Sequence, residues 1–290
     1  MVETGGFAAA SRELRLAVST VSKHVDVLET RLKTTLLLRT TRRVSLTDAG
    51  GGLYKHCRAI LDQLDDVVES NLGSGALRGR LRIVSPPSFT NRILSPALPT
   101  FLQRHPDLRL ELRVTTANLE FLRDGVDVAI RMMVDQVSSD QVEHIGRAPS
   151  VLCASPEYLR RAGTPQAPEE LANHRCLGGI SSPYGESWRF NVKDEITDLS
   201  VKCGFLADTG DVLRDACLQG LGIAGFYEFH VEEDIRAGRL VPILSQYRAD
   251  VSSLYAIRPS TRYASPSVLA FIDFVREIWK LRETTKGTHA

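Results

Sequence analysis

The sequence predicts an α/β protein carried behind a small helical unit with a basic turn. Three observations predict it. From Leu81 onward, apolar stretches of strand length alternate with helical spacing, the rhythm of a doubly wound sheet. Near the start, Val18–Gly50 joins an amphipathic helix to the basic turn Arg39, Thr40, Thr41, Arg42, Arg43. Between the two lies a helix with apolar residues at alternating spacings of four and three, Leu53, Cys57, Ile60, Leu64 and Val67.

Composition agrees with several folding units. The chain has 290 residues, more than one small domain needs, and its 43% hydrophobic and 24% charged content is ordinary for a globular protein. Net charge is only +1, but it is uneven. Residues 1–43 hold eight Lys/Arg against four acids, and the remainder holds 28 basic against 31 acidic side chains. A basic end on a near-neutral body suits nucleic-acid binding by one domain.

Phe7–Arg15 (FAAASRELR) reads as a short helix packing Phe7, Ala10 and Leu14 inward. The next helix runs from about Val18 to Leu32, with Val21, Val25, Leu28 and Leu32 at helical spacing. Its start is small and polar: Ser19, Thr20, Ser22, Lys23 and His24. Such a helix start can present donors and acceptors to base edges, while Arg39, Arg42 and Arg43 hold phosphates and Thr40 between them is a further DNA-binding candidate. Either half alone is better read as an amphipathic helix or an exposed basic turn. A second small helix just upstream changes that balance.

Thr47 with Asp48 reads as the start of the long heptad helix, Thr47 capping it. Gly50, Gly51 and Gly52 weaken its first turns. The seam predicts pairing with another helix; packing on the chain's own body is the alternative. Residues 71–79 (NLGSGALRG) form a glycine-rich break and a candidate hinge. A first lobe follows, with strand Leu81–Ser85, helix Ile93–Arg104 and the alternating strand Leu108–Val114. Helix Leu119–Asp124 and strand Val126–Ile130 continue it. A second lobe begins at Val151–Ala154 and includes Pro156–Ala162, Glu169–Asn173, Val201–Phe205, helix Asp211–Gln219 and strand Gly222–Gly225. Ser253–Ile257 returns to the first lobe, Pro266–Leu281 is its last helix, and residues 280–290 form a polar tail.

The stretch VSTVSKHVDVLETRLKTTLLLRTTRRVSLTDAG resembles the winged helix-turn-helix of LysR-type transcriptional regulators. GRLRIVSPPSF, LPTFLQRHPDLRLEL, VDVAIR, VLCASPEYLRRAGTP, LANHRCL, LRDACLQGLGIA, AGRLVPIL and VLAFIDFV resemble the effector-binding half of the same family, in the right order. The helix-turn-helix alone is moderately specific; the ordered series is far more so. The resemblance implies a winged helix-turn-helix over 1–46, a linker and dimerisation helix over 47–72 and a hinge over 73–80. An effector domain resembling a periplasmic binding protein follows over 81–283. Lobe I is then 81–150 with 254–283, and lobe II 151–253. Three positions depart from the family. Arg15 stands where a turn glycine is usual, Ala17 where a serine caps the helix, and Lys33 where a glycine ends it.

The resemblance also implies an effector between the lobes, at strand ends. Ser85 ends the first strand, and Ser88, Phe89 and Thr90 follow it just before a helix, where hydroxyls and amides suit a carboxylate. Ser88 or Thr90 as a simple helix cap is the plainer reading of each alone. Arg131 could pair with an anionic ligand or be a solvated surface arginine. Asp208 could receive a ligand donor or cap the next helix, with Thr209 beside it; Gly225 and Phe226 could close over an apolar ligand. Tyr184 and Trp188 read as core before site.

Partners expected are double-stranded DNA, a small-molecule effector with a carboxylate as one candidate, and a second copy of the chain in a homodimer or homotetramer. No cofactor or metal is expected. The seven histidines are scattered without metal spacing, and neither GxSxG nor a P-loop occurs, so no catalytic residue is assigned. Glu232 and Glu233 are read on an exposed helix face. Five cysteines without CxxC read as reduced thiols. No apolar run spans a bilayer and no secretory signal is evident, so a cytoplasmic location is expected. A solute-binding protein without DNA binding is the alternative; the basic N-terminal unit argues against it. Finally, VETGGF after Met1 resembles the end of the family's first helix. The remaining helices should then expose Leu14, Val21, Val25 and Leu28, and the chain as given should bind DNA weakly. A start upstream of Met1 is the expected cause, gene decay the other.

Overall fold

The structure is a computed structural model. It describes residues 2, 4, 6–39, 44–54, 56, 57, 60, 61, 77–117, 125–134, 141–180, 185–249, 252–259 and 264–287. The chain forms two compact units, one of residues 1–67 with 120–125, the other of 68–119 with 126–290.

In the first unit, α1 (Phe7–Leu14) ends at Arg15 in the left-handed conformation, φ 53°. The Leu16 amide bonds back to the Ser11 carbonyl, closing the turn that a glycine makes more cheaply. Helix α2 (Val18–Leu32) starts at Ala17, which offers no side-chain cap, and ends at Lys33, φ 52°. All three family departures therefore sit at helix ends: Arg15 and Lys33 carry the left-handed cost that glycine would spare, and Ala17 leaves uncapped the amide that serine would satisfy. Strands β1 (Leu37–Arg39) and β2 (Val44–Leu46) pair antiparallel, Leu37 opposite Leu46. The hairpin is tied to α2 by Glu29, whose carboxylate accepts from the Leu36 and Leu37 amides at 2.7 and 3.1 Å. Thr47 caps the following helix as expected, its hydroxyl accepting from the Gly50 amide at 3.0 Å.

Packing in this unit corrects part of the sequence reading. Leu14 does not pack inward: it is 60% exposed, while Leu28, expected to be exposed, is 41% exposed. Val25 is half-buried, and Val21 is buried rather than exposed.

The second unit holds two five-stranded sheets. In the first, the strand order is β4-β3-β5-β14-β6. Strands β3 (Gly79–Ser85), β4 (Leu108–Val114) and β5 (Val128–Val134) run parallel. Strand β14 (Ser252–Arg258) lies antiparallel between β5 and β6 (Gln141–Arg147). Helix α3 joins β3 to β4 as Pro87–Phe89, a π turn Thr90–Leu94 and Ser95–Arg104. It begins six residues before the expected Ile93. Pro87 fixes a helical first residue, and Pro96 and Pro99 lack N–H groups an unbroken helix would use, next to the turn that widens. Helix α7 (Pro266–Gly287) closes the layer, and Leu81, Ile83, Phe101, Phe271 and Trp279 form its core.

The second sheet has the order β11-β8-β12-β7-β13. Its members are β7 (Ser150–Ala154), β8 (Cys176–Gly179), β11 (Cys203–Ala207), β12 (Ile223–Tyr227) and β13 (Val241–Ile243). Helix α4 (Pro156–Ala162) has the expected bounds, and Ser155 caps it through the Tyr158 amide. Helices α5 (Gly210–Leu218) and α6 (Glu228–Arg236) pack on the other face. A hairpin, β9 (Ser187–Val192) with β10 (Glu195–Ser200), lies outside both sheets. Trp188 is buried in this lobe and donates to the Gly185 carbonyl, so it is core; Tyr184 lies outside the described residues. The chain passes between sheets once from β6 to β7 and again before β14. Helix α6 belongs to both lobes: Phe229 enters the core of the first and Val231 that of the second.

Candidate binding cleft and nucleic-acid interface

The carboxyl ends of β3, β8, β11 and β12, with Arg131 and Met132 of β5, surround a cavity of about 150 Å³. Strand ends in α/β sheets gather loops and helix starts, which is why polar groups converge there. Of the sequence-predicted residues, Ser88, Arg131, Asp208, Thr209, Gly225 and Phe226 line it together. Thr116, Met132, Tyr227 and His230 also line it and were not expected.

Three expected contacts are corrected. Phe89 points into the core of the first lobe, edge-on to Phe229 and 6.0 Å from the ring of Trp279. One helical residue beyond Ser88, its side chain is turned away from the cavity. Ser85 and Thr90 are buried and are not among the residues that line the cavity, and among the described residues their hydroxyls have no hydrogen-bond partner. Asp208 does not cap α5. That place is held by Thr209, whose side chain makes no capping bond, and both side chains therefore stay available to the cavity.

Arg131 is positioned by backbone. Nη1 donates to the carbonyls of Thr115 and Ile130, and Nη2 to that of Ala117 at 2.9 Å. Burial alone pushes its pKa down. Among the described residues no carboxylate reaches it. The other well-shielded arginines each have one: Arg214 pairs with Asp234, Arg258 with Glu143 and Arg282 with Glu232.

His230 is the main residue that motif reading missed. Its ring is buried, and Nε2 lies 2.8 Å from Oδ1 of Asp211. The second oxygen of Asp211 accepts from Asn91 of α3 at 2.8 Å. Arg92, next along α3, lies 3.7 Å from Glu233 of α6. Burial pushes the His230 pKa down, toward the neutral ring, and the Asp211 bond only partly offsets this. For Asp211, burial acts upward but the His230 and Asn91 bonds outweigh it, so its carboxyl lies below the ordinary value. A lone histidine in an apolar run carries no signal of this kind; its partner Asp211 lies 19 residues away.

Elsewhere, Glu232 is not fully exposed as expected: it accepts from Arg282 at 2.7 Å, and only Glu233 lies on the open face. All five cysteines are free. Burial pushes the Cys176 and Cys217 thiols up to about 12, which keeps them protonated and unreactive. Among the described residues no group of three or more His, Cys, Asp or Glu could hold a metal ion, and no helix is long and apolar enough to cross a membrane.

In the first unit, Ser19, Thr20, Ser22, Lys23 and His24 occupy the first two turns of α2. Ser19, Lys23 and His24 are exposed there, while Thr20 and Ser22 are half-buried. Arg39 ends β1, and Thr40, Arg42 and Arg43 lie outside the described residues. Of the heptad seam, Cys57 and Ile60 are exposed and Leu53 half-buried; Leu64 and Val67 lie outside the described residues.

A helix-turn-helix with a hairpin wing, followed by two α/β lobes around a polar cleft, is the architecture of DNA-binding regulators that carry an effector-binding domain. Residues 1–51 match the bacterial regulatory helix-turn-helix proteins of the lysR family, and residues 74–280 match the LysR substrate binding domain. The chain belongs to the LysR family of transcriptional regulators. It is 32% identical to the HTH-type transcriptional regulator CrgA of Neisseria meningitidis, over 96% of this chain and 93% of that protein. The structure of CrgA superimposes with a TM-score of 0.64, covering 95% of this chain and 94% of that one. The full-length Vibrio cholerae virulence activator AphB gives 0.61 at 30% identity, with 94% of each chain covered.

Proposed function

We propose that this chain is a cytoplasmic regulator whose grip on operator DNA is set by a small molecule held between its two lobes. It acts as a homodimer or homotetramer joined through the seam of Leu53, Cys57, Ile60, Leu64 and Val67, and it works by binding rather than catalysis. The observation that carries the reading is the cavity itself. Polar side chains that have no partner among the described residues, Ser88, Asp208 and Thr209, converge on it from both sheets beside Arg131. A folded protein rarely gathers such groups in one concavity without a ligand to receive them. Control of DNA binding further requires that the ligand prefer one arrangement of the molecule, since equal affinity for two states shifts nothing.

The test is binding to the duplex beside the gene, with and without the low-molecular-weight fraction of its own cells. Retention should fall with salt, and the fraction should change affinity. Ser88→Ala and Thr209→Ala should blunt that change while DNA affinity without the fraction stays as it is. Equal loss of both would assign these residues to folding, and salt-independent retention would refute DNA binding.

A further inference from the structure

The ligand's chemistry can be read from the two unmatched polar groups in the cleft; this step rests on the cleft being a ligand site. We propose that the cleft takes a small carboxylate that also carries a hydrogen-bond donor, a hydroxyl or ammonium group. The carboxylate is bound by Arg131 and the donor is received by Nδ1 of His230.

The arginine end follows from counting donors. A guanidinium has five N–H groups. Nη1 donates to the carbonyls of Thr115 and Ile130, and Nη2 to that of Ala117 alone. The N–H of Nε and the second on Nη2 are left without an acceptor among the described residues. These sit on neighbouring atoms of one planar fork, the geometry that takes two oxygens of a carboxylate. The three carbonyl bonds hold the fork in place before any ligand arrives. The charge is partly shielded from water, and no acid among the described residues pairs with it, so an anion gains there what no neutral ligand can.

The histidine end follows from its tautomer. The Asp211 carboxylate is an acceptor only, so at 2.8 Å it must receive the proton of Nε2. A neutral ring then leaves Nδ1 as a bare acceptor. Among the described residues nothing donates to it. Nδ1 stands against Gly210, another residue of the cavity wall, where a side-chain carbon would come within 3.1 Å of it. Glycine there gives the ring its place. A ligand that puts hydrocarbon against Nδ1 strands a buried acceptor; one that puts a hydroxyl or ammonium there satisfies it. Asp208, on the same wall, adds a second acceptor. Between the polar ends, Met132, Leu213 and Phe226 supply an apolar wall. A cavity of about 150 Å³ holds a molecule of roughly benzene's size.

The experiment is calorimetric titration of the full chain with matched sets of small acids. The smallest set is 2-hydroxybutyrate, 2-aminobutyrate, butyrate and 2-hydroxybutyramide; the largest is salicylate, benzoate and salicylamide. In at least one set the substituted acid should bind about tenfold or more tightly than both its plain acid and its amide. Whether hydroxyl or ammonium wins identifies the donor. Arg131→Gln should erase the preference for acid over amide, and His230→Phe the preference for substituted over plain acid. Each is a ratio within one protein, so a general loss of stability cancels; if a variant does not fold, the wild-type ratios decide. Equal binding of plain acid or amide overturns the proposal. So does a chain that still binds duplex DNA but takes no acid of either set at millimolar concentration; that result refutes the ligand class and leaves the regulator reading standing.

Discussion

Nε2 of His230 and Oδ1 of Asp211 lie 2.8 Å apart, and the other oxygen of that carboxylate receives Asn91 from the opposite lobe. One side chain thus fixes a buried ring and bridges two lobes. The two bonds differ in worth. His230 is buried, so removing its acceptor leaves an N–H with nothing to bond, at a cost of about 1–3 kcal/mol. Asn91 is exposed and can turn to water, so its loss should cost less than about 1 kcal/mol. Urea unfolding of Asp211→Ala and Asn91→Ala should show that order. The reverse order would mean that Asp211 serves the lobe contact first.

A second carboxylate governs acid stability. Asp234 of α6 is buried and accepts from Arg214 and Arg239, each with one bond of 2.7 Å. Burial acts to raise its pKa, but the two arginines outweigh it, and the carboxyl lies below its ordinary value. A depressed pKa means stability present above the unfolded value, about 3.9, and lost as pH falls toward the folded one. Asp234→Asn should therefore cost a roughly constant amount at neutral pH, about 3 kcal/mol. The gap to wild type should close below about pH 4. Chemical unfolding of both proteins between pH 3 and pH 7 checks this; a gap that widens toward acid would contradict the assignment.

The helix ends of the first unit predict gains. Ala17 precedes α2 without a capping side chain, and Lys33 follows it at φ 52°. Ala17→Ser should add about 1 kcal/mol by satisfying an orphan amide. Lys33→Gly should recover about 1 kcal/mol of left-handed strain. Hydrogen exchange of α2 amides in the full chain should slow in both variants. Unchanged exchange would show that opening of this helix is governed by something other than its ends.

The wing gives a prediction from sequence and family. Arg42 lies in the basic run RTTRR joining β1 to β2. As a phosphate contact, its loss in Arg42→Ala should lower affinity for every duplex and reduce the slope of log K against log salt by about 0.9. Thr20 or Lys23 substitutions should change sequence preference instead. An unaltered slope would remove Arg42 from the phosphate contacts.

What the sequence made legible follows from the range of the forces involved. Local rules placed α4 with its bounds and the Thr47 cap, because capping depends on neighbouring residues alone, while the two strained helix ends were legible only against the family's glycine positions. The β9–β10 hairpin escaped. Its turn sets Lys193 and Asp194 at positive φ, positions that commonly carry Gly or Asn, so no turn signal marked it. In the cleft, residues beside strand ends were legible one by one. Phe89 was assigned to the wrong face because α3 begins at Pro87, before the apolar spacing that marked it. His230 could not be found because its meaning comes from Asp211 and Gly210, which only tertiary packing brings to it.

That packing yields the sharpest single substitution. Gly210 opens α5, and an added Cβ would stand 2.9 Å from Cε1 and 3.1 Å from Nδ1 of His230. The ring cannot simply retreat, because Nε2 is held by Asp211 on its other side. Gly210→Ala must therefore tilt the imidazole, stretch the Asp211 bond or displace the start of α5. Overpacking of this kind costs about 1–3 kcal/mol, which the lobe should survive. The larger effect belongs to the ligand, since the methyl fills the space from which Nδ1 faces the cavity. Affinity for the bound acid should drop about tenfold or more, the worth of one well-placed hydrogen bond with its contacts. DNA affinity without ligand should match wild type, because the first unit is untouched. Parallel titrations of acid and of duplex DNA separate these effects. Wild-type acid affinity in Gly210→Ala would show that the ligand never meets this edge of His230.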